Sequence, residues 1–214
     1  MTISPDYQRD WPAYFRAAAD KPARETLLRA LEALGPGGGR TAVDVGCGEG
    51  RDARELLRRG WRVVALDSHE GGLEMLRASV DPAERDRLTV RRVAMEAIPS
   101  DRTLPAAATL CNASFALPFC DPAAFPALWS WIVALLAPGA VFSGQLFGDR
   151  DDWAKVRPAS HHTRSEVEKL LLPFDVLWCD EVDKVGDDAM GGVKRHHVYH
   201  IVAKRKDPAR NATP

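Results

Sequence analysis

The chain has 214 residues and a net charge of −1, with 45% hydrophobic and 28% charged residues. This length is sufficient for one domain with a complete hydrophobic core, and the nearly neutral charge excludes a basic field that would attract nucleic acid. No apolar run reaches the roughly 18 residues that a membrane-spanning helix needs, and the first residues are not typical of a signal peptide. We therefore expect a cytoplasmic monomer or homodimer that binds neither nucleic acid nor membranes.

Hydrophobic periodicity predicts helices and strands in alternation along most of the chain. In chain order we predict helix Pro22–Leu34, strand Thr41–Gly46, helix Asp52–Arg59, strand Arg62–Asp67, helix Glu70–Ser79, strand Leu88–Val93, strand Ala108–Ala113, helix Pro122–Leu136, strand Ala140–Phe147 and helix Ser165–Leu172, the last capped by Thr163 or Ser165. Strands that are separated by helices form parallel sheets with helices on both faces. The predicted fold class is therefore α/β, with a doubly wound, Rossmann-like sheet.

The end of the chain departs from this alternation. Asp175–Asp183 and His196–Arg205 are strand-like, and the polar, glycine-rich segment between them has no helical period. Two strands that are joined without a helix form an antiparallel hairpin. We therefore expect a mostly parallel sheet whose last strand runs in the opposite direction. Residues 206–214 are few and contain proline, which predicts a flexible tail.

A glycine loop, "GCGEG" at residues 46–50, follows the first predicted strand and precedes a helix. Glycine permits sharp turns and lets a ligand approach the backbone closely, and the amides at the helix start can face a polar group. The spacing of Gly46, Gly48 and Gly50 differs from the GxGxxG pattern of dinucleotide-binding loops, because Arg51 stands where that pattern needs glycine. We predict that these glycines bind a cofactor other than a dinucleotide.

Two acidic residues lie close to this loop in the predicted topology. Asp44 precedes the loop, and its negative charge suits a ligand with an amine or a sulfonium better than a pyrophosphate. Asp67, with Ser68 beside it, ends the second strand, where a carboxylate can accept both hydroxyls of a ribose. The alternatives are a purely structural role for Asp44 and a helix-capping role for Asp67.

The segments "VDVGCGEGRD" (43–52) and "ALDSHEGGLEMLR" (65–77), together with the final hairpin, resemble the class I S-adenosylmethionine-dependent methyltransferases. The second half, from "CNASFALPF" to "HHTRSEVEKLL", is similar to small bacterial methyltransferases that are often labelled tellurite-resistance-like. This resemblance covers roughly residues 10–205. It implies a sheet of about seven strands with the seventh antiparallel, and S-adenosylmethionine as the cofactor, with S-adenosylhomocysteine as the product.

Further residues receive roles in this framework. Met95 and Glu96 follow the third strand and are expected near the adenine, and Asn112 ends the fourth strand and is expected in the cleft at the carboxyl ends of the strands. Arg24 is expected to pair with the cofactor carboxylate. A surface position for Glu96, a turn-forming role for Asn112 and a solvated helix face for Arg24 are the alternatives.

The aromatic N-terminal segment, residues 1–36, is predicted to form a helical lid over a methyltransferase domain at residues 37–205. Tyr7, Trp11 and Tyr14 are candidates for acceptor binding there, and aromatic faces also attract a sulfonium cation. The alternative is a helix that only packs on the sheet.

The acceptor site is also expected to use residues that follow the fourth and fifth strands. The candidates for acceptor binding are Phe115, Gln145 and Trp153. His161 and His162 are candidates for a general base, because histidine titrates near neutrality, although His162 could simply precede the next helix.

No metal site is predicted, because the four cysteines lack CxxC spacing and the strand histidines near the C-terminus alternate between faces. Cys47 is expected to be a packing residue and not a nucleophile.

The leading hypothesis is transfer of a methyl group to a small-molecule acceptor by direct displacement, in which the protein mainly aligns the reactants. One alternative is a nicotinamide-dependent oxidoreductase, which the glycine spacing and the antiparallel last strand disfavour. Another is a non-catalytic protein that binds the same cofactor as a sensor or accessory subunit.

Overall fold

A computed structural model describes residues 10–155, 159–188 and 191–207. The strands are β1 Thr41–Val45, β2 Arg62–Asp67, β3 Leu88–Arg92, β4 Ala108–Ala113, β5 Leu136–Gly148, β6 His161–His162, β7 Phe174–Asp187 and β8 Val193–Arg205. The α-helices are α1 Trp11–Ala18, α2 Glu25–Leu34, α3 Arg51–Arg58, α4 Glu70–Ser79, α5 Phe125–Leu135 and α6 Arg164–Leu170. Short 3₁₀ helices cover Pro82–Arg87, Met95–Ser100, Leu117–Phe119 and Asp152–Lys155. None of the helices in these ranges has the length and apolar character to cross a membrane.

The strands form one sheet in the order β3-β2-β1-β4-β5-β8-β7, and β6 pairs with the end of β5. Strand β8 runs antiparallel to both of its neighbours, β5 and β7, whereas the other pairs are parallel. The predicted α/β class, the mostly parallel sheet and the antiparallel last strand are therefore confirmed. The order places β1 and β4 side by side at the centre, where the strand order reverses and α/β proteins bind their ligands.

Both faces of the central strands are buried, which explains their nearly continuous apolar sequences. On β4, Leu110 contributes to the core on one face and Cys111 to the core on the other. Helices α2, α3 and α4 cover the first face, where Trp61 is fully buried, and α5 packs on the second face around Trp129.

Several element boundaries differ from the predicted ones. Helix α5 begins at Phe125 and not at Pro122, because the carboxylate of Asp121 accepts the Ala123 amide and holds a turn there. Strands β7 and β8 pair as far as Asp187 and Val193, so most of the segment expected to be a loop belongs to the hairpin. The polar residues of this segment are largely exposed, so its sequence lacks the alternation of apolar and polar residues that identifies a strand. The predicted tail at 206–214 lies mostly outside the described residues.

Helix α6 shows the predicted cap. The Thr163 hydroxyl accepts the amide of Glu166, and the Glu166 carboxylate accepts the amide of Thr163. This reciprocal pair satisfies backbone donors that the helix start leaves open.

Gly50 joins the glycine loop to α3 at a position that no other residue fits well. Its φ is +86°, and a Cβ at this position would lie 2.2 Å from Cδ1 of Leu76 on α4. The glycine therefore allows α3 and α4 to pack closely.

We predict that Gly50→Ala lowers the free energy of unfolding by about 2–4 kcal/mol, from backbone strain and overpacking together. Urea denaturation followed by circular dichroism measures this loss. Gly39→Ala is the matched control, because Gly39 also has a positive φ (+80°) but faces open space, so only about 1 kcal/mol of strain is expected. Equal losses in the two variants would contradict the packing role.

Candidate functional site

A cavity of about 300 Å³ opens at the carboxyl ends of β1, β2 and β4. Its walls come from the glycine loop, the strand ends, α1 and the segment after β4. The lining residues include Trp11, Tyr14, Phe15, Arg24, Asp44, Gly46, Gly48, Arg51, Asp52, Asp67, Ser68, Met95, Glu96, Ser114 and Phe115. We call this space the first cavity. Most of the sequence-predicted cofactor residues therefore come together in one place.

Asp67 connects the glycine loop to the start of α4. One carboxylate oxygen accepts the Gly48 amide at 2.8 Å, and the other accepts the His69 amide at 2.8 Å. The loop is closed from above by Phe15 of α1, since a Cβ on Gly48 would lie 3.0 Å from its ring. The loop shape thus depends on Asp67 and on the absence of a side chain at Gly48.

Asp44 lies at the base of the first cavity and is almost completely buried. Its Oδ1 accepts a hydrogen bond of 2.8 Å from Nδ2 of Asn112, whereas its Oδ2 has no partner among the described residues. An unpartnered buried carboxylate oxygen is costly. It therefore marks a place where a ligand donor fits.

Asn112 holds two carboxylates together beneath this cavity. Its Nδ2 also donates to Oδ2 of Asp52 at 3.0 Å, and its Oδ1 accepts from Ser143 at 2.8 Å. Asp52 in turn accepts the backbone amide of Arg24 at 2.9 Å. Asn112 is fully buried below the lining residues, so its place is under the cleft and not in it. Asp52 is a site residue that the sequence reasoning missed.

Burial raises the pKa of Asp44 well above its usual range, and the nearby negative charge of Asp52 raises it further. The hydrogen bond from Asn112 opposes this shift but does not cancel it. A cationic donor at Oδ2 would favour the ionised carboxylate. The electrostatics of the site therefore favour a bound ammonium group.

Burial also raises the pKa of the Cys47 thiol, and the negative charge of Asp44 adds to the shift. The thiol is therefore protonated near neutral pH and is a poor nucleophile. This agrees with the expected packing role of Cys47.

Two arginines also line the first cavity. Arg24 donates to the Tyr14 hydroxyl at 3.0 Å, and its guanidinium lies 4.5 Å from the centre of the Phe115 ring. Arg51 has a buried Nη1 without a partner among the described residues. These guanidinium groups can donate hydrogen bonds to a carboxylate. The sequence indicated Arg24 but treated Arg51 only as a departure from a glycine pattern.

The far end of the first cavity is apolar. Leu66, Val93, Met95 and Ile98 line it, which suits a flat base. Glu96 also lines it, and its carboxylate accepts the amide of Asp121 at 3.1 Å.

A second cavity of about 290 Å³ adjoins the first. Tyr14, Arg24, Phe115 and Phe119 line both cavities and form the junction between them. The remaining lining residues of the second cavity are Lys21, Phe147, Trp153, Asp187, Asp188, Lys194 and His196. Of the predicted acceptor residues, Tyr14, Phe115 and Trp153 line this space. Trp11 lines the first cavity, and Tyr7 lies outside the described residues.

Phe115 stands at the junction in a strained conformation. Its φ of +53° makes it the one non-glycine residue with a positive φ in the described ranges. The side-chain oxygen of Gln145 accepts its amide at 2.8 Å, and Nε2 of Gln145 donates to Thr26 at 3.0 Å. Gln145 is buried and does not line either cavity, so it contacts the site through Phe115 and not directly as expected.

The structure does not bring His161 and His162 to either cavity. Both belong to the short strand β6, which turns them against aromatic rings. The ring of His162 lies 4.6 Å from that of Phe125, and burial lowers the pKa of His162. The ring of His161 lies 5.8 Å from that of Phe147. The expected general base at these positions is therefore not retained.

Gly50 also lies outside the lining of the first cavity, because it faces Leu76 on α4. Gly46 and Gly48 do line the cavity. Gly46 and Gly48 thus leave space for a ligand, whereas Gly50 allows helix packing.

Comparison with known proteins agrees with this geometry. Residues 42–139 match the family model described as a methyltransferase domain. No curated protein matches the chain.

Many solved structures share the fold. TehB from Haemophilus influenzae superposes with a TM-score of 0.71 at 14% identity, covering 86% of this chain and 62% of its own. This chain thus spans less than two thirds of TehB. The 1,6-didemethyltoxoflavin-N1-methyltransferase of Burkholderia thailandensis has a TM-score of 0.64 at 20% identity, covering 92% of this chain and 86% of its own. The N-methyltransferase NodS of Bradyrhizobium japonicum has a TM-score of 0.64 at 12% identity, covering 94% of this chain and 100% of its own. The last two were solved with S-adenosylhomocysteine.

The residues present fit the cofactor of these proteins. The unpartnered Oδ2 of Asp44 suits its ammonium group and the buried Nη1 of Arg51 suits its carboxylate, and both residues line the first cavity together with Gly46 and Gly48. Residues 42–139 thus match a methyltransferase domain, and the chain shares the fold of solved S-adenosylmethionine-dependent methyltransferases.

Proposed function

We propose that the protein transfers a methyl group from S-adenosylmethionine to a small-molecule acceptor that binds in the second cavity. The observation that carries this proposal is the pair of adjoining cavities, which meet at Tyr14, Arg24, Phe115 and Phe119. A space of about 290 Å³ is close to the lower end of the range of small-molecule sites. The Burkholderia thailandensis methyltransferase was solved with 1,6-didemethyltoxoflavin, which is also a small molecule.

The residues of the first cavity have distinct proposed roles towards the cofactor. Asp44 faces the ammonium group, and Arg24 and Arg51 face the carboxylate. Asp67 and Ser68 meet the ribose, and Met95 and Glu96 lie beside the adenine. Gly46 and Gly48 leave room for the chain of the ligand.

The acceptor is positioned by the protein, since the sulfonium of the cofactor already supplies an activated methyl group. Phe115 forms the wall at the junction, and Gln145 fixes its backbone. Helix α1 covers the glycine loop through Phe15 and excludes water from the first cavity. We propose that the N-terminal residues 1–36 act as a lid on the domain at 37–205.

The nicotinamide-dependent alternative is not retained, because the family match and the glycine spacing both indicate a methyltransferase.

We predict that methyl-labelled S-adenosylmethionine transfers its label to small molecules. The purified protein is incubated with a bacterial extract that has been divided by filtration into small molecules, proteins and nucleic acids. Label is expected in the small-molecule fraction, and a sample without protein is the control. Label that appears only in the protein or nucleic-acid fraction would overturn the proposed acceptor class.

We also predict that Asp44→Asn stabilises the cofactor-free protein while it weakens cofactor binding. The folded state raises the pKa of Asp44. The protonated form therefore favours folding at low pH, and this contribution is lost as the pH rises through the raised pKa. Asparagine does not ionise and therefore loses no stability as the pH rises. At pH 7 the variant should gain about 1–3 kcal/mol in free energy of unfolding. Its affinity for S-adenosylmethionine should fall at least about tenfold.

Urea denaturation from pH 4 to 8 and titration calorimetry measure the two effects. Asp86→Asn is the control, because Asp86 is exposed and neither quantity should change. A variant that is less stable than the wild type at pH 7, yet binds the cofactor normally, would contradict this role for Asp44.

A further inference from the structure

The second cavity contains a buried lysine that the proposed methyl transfer does not use. The side chain of Lys194 is 3% exposed, and its ammonium group bonds to the fully buried carboxylate of Asp151. The nitrogen lies 4.3 Å from the centre of the Trp153 ring and 5.3 Å from that of Phe147. The ammonium is therefore held over an aromatic surface that faces the cavity.

Asp151 is itself fixed by the backbone. Its Oδ1 accepts the Trp153 amide at 3.0 Å, and its Oδ2 accepts the His197 amide at 3.1 Å. Nζ of Lys194 also lies 3.4 Å from the Arg195 carbonyl. An ammonium group has more N–H donors than these two contacts use. Among the described residues no acceptor bonds to the third N–H, which can therefore donate to a ligand in the cavity.

A buried ion pair of this kind is poor evidence for stability. Bringing both charges out of water can cost more than their attraction returns, and replacement by apolar residues of similar size is often neutral or stabilising. Burial lowers the pKa of Lys194, which reflects this cost, although Asp151 opposes the shift. The place of this pair beside an aromatic cavity is more simply explained by ligand binding.

The position of Lys194 along β8 also supports a role in ligand binding. Side chains alternate along a strand, so Lys194 and His196 lie on the same face of β8, and both line the second cavity. Neither lines the first cavity. Lys194 thus lies in the part of the second cavity that is not shared with the first.

We propose that the second cavity recognises a planar aromatic acceptor whose far end carries a hydrogen-bond-accepting oxygen, which bonds to Lys194. This inference rests on the proposed function for the location of the acceptor. The rings of Phe115, Phe119, Phe147 and Trp153 contact the faces and edges of the acceptor ring. The atom that receives the methyl group lies at the junction, and Lys194 and Asp151 set the orientation by binding the other end.

Direct binding tests this inference without any need for turnover. Titration calorimetry in the presence of S-adenosylhomocysteine compares 2-naphthoate, 2-naphthamide and 2-methylnaphthalene. The first two have a charged and a neutral oxygen, and the third has none. Both oxygen compounds should bind at least about tenfold more tightly than 2-methylnaphthalene. Cyclohexanecarboxylate, which has the oxygen but no aromatic faces, should also bind at least about tenfold more weakly than 2-naphthoate.

Lys194→Met should remove the preference for the oxygen compounds and leave the affinity for S-adenosylhomocysteine within about twofold. That retained affinity shows that the variant is folded. If Lys194→Met does not fold, the comparison of probes on the wild-type protein still decides the question.

Three results would overturn the inference: equal binding of 2-methylnaphthalene and the oxygen compounds, no binding of any probe, or an unchanged preference in folded Lys194→Met. Failure of the proposed function gives a different result. In that case the probes discriminate as described, but no small molecule in the extract is methylated.

Discussion

The buried carboxylate of Asp44 is the constraint on which the first cavity depends. It lies at the centre of the sheet, where β1 and β4 are neighbours, and one of its oxygens has no partner in the described structure. Asn112 holds it in place and also holds Asp52, which receives the backbone amide of Arg24. The buried side-chain amide of Asn112 therefore connects Asp44, at the base of the first cavity, with the N-terminal segment that includes α1 and Arg24.

This arrangement lowers the stability of the ligand-free protein and favours ligand binding. A carboxylate with a raised pKa and an unsatisfied oxygen destabilises the cofactor-free fold, and a ligand that supplies a cation offsets the cost. The second cavity shows the same principle with the opposite charge, since Lys194 is buried beside Asp151 under aromatic rings. Both costly groups line cavities that meet at Phe115. The strain of Phe115, held by Gln145, lies at the same junction, where strain commonly marks function.

The fold could be predicted because its signals are local. Buried parallel strands such as Arg62–Asp67 have nearly continuous apolar sequences, and the glycine loop lies directly between a strand and a helix. Most of the residues that line the first cavity followed from the same pattern, because the carboxyl ends of parallel strands meet at one edge. Asp52 could not be found in this way, since its role depends on an asparagine 60 residues later in the chain.

The residues around the second cavity were harder to predict, again because they come together from distant parts of the sequence. His161 and His162 follow a strand whose end faces the cleft, but pairing with the end of β5 turns them against Phe147 and Phe125. Lys194 belongs to a segment that appeared to be a polar loop, and only the pairing of β7 with β8 places it in a cavity. Side chains that come together from distant segments leave no periodic signal in the sequence.

A crystal structure of the complex with S-adenosylhomocysteine tests the central claim most directly. The account predicts that the amine of the ligand bonds to Oδ2 of Asp44, directly or through one water, with its sulfur towards the junction at Phe115. A ligand bound elsewhere, or one whose amine leaves that oxygen without a partner, would contradict it.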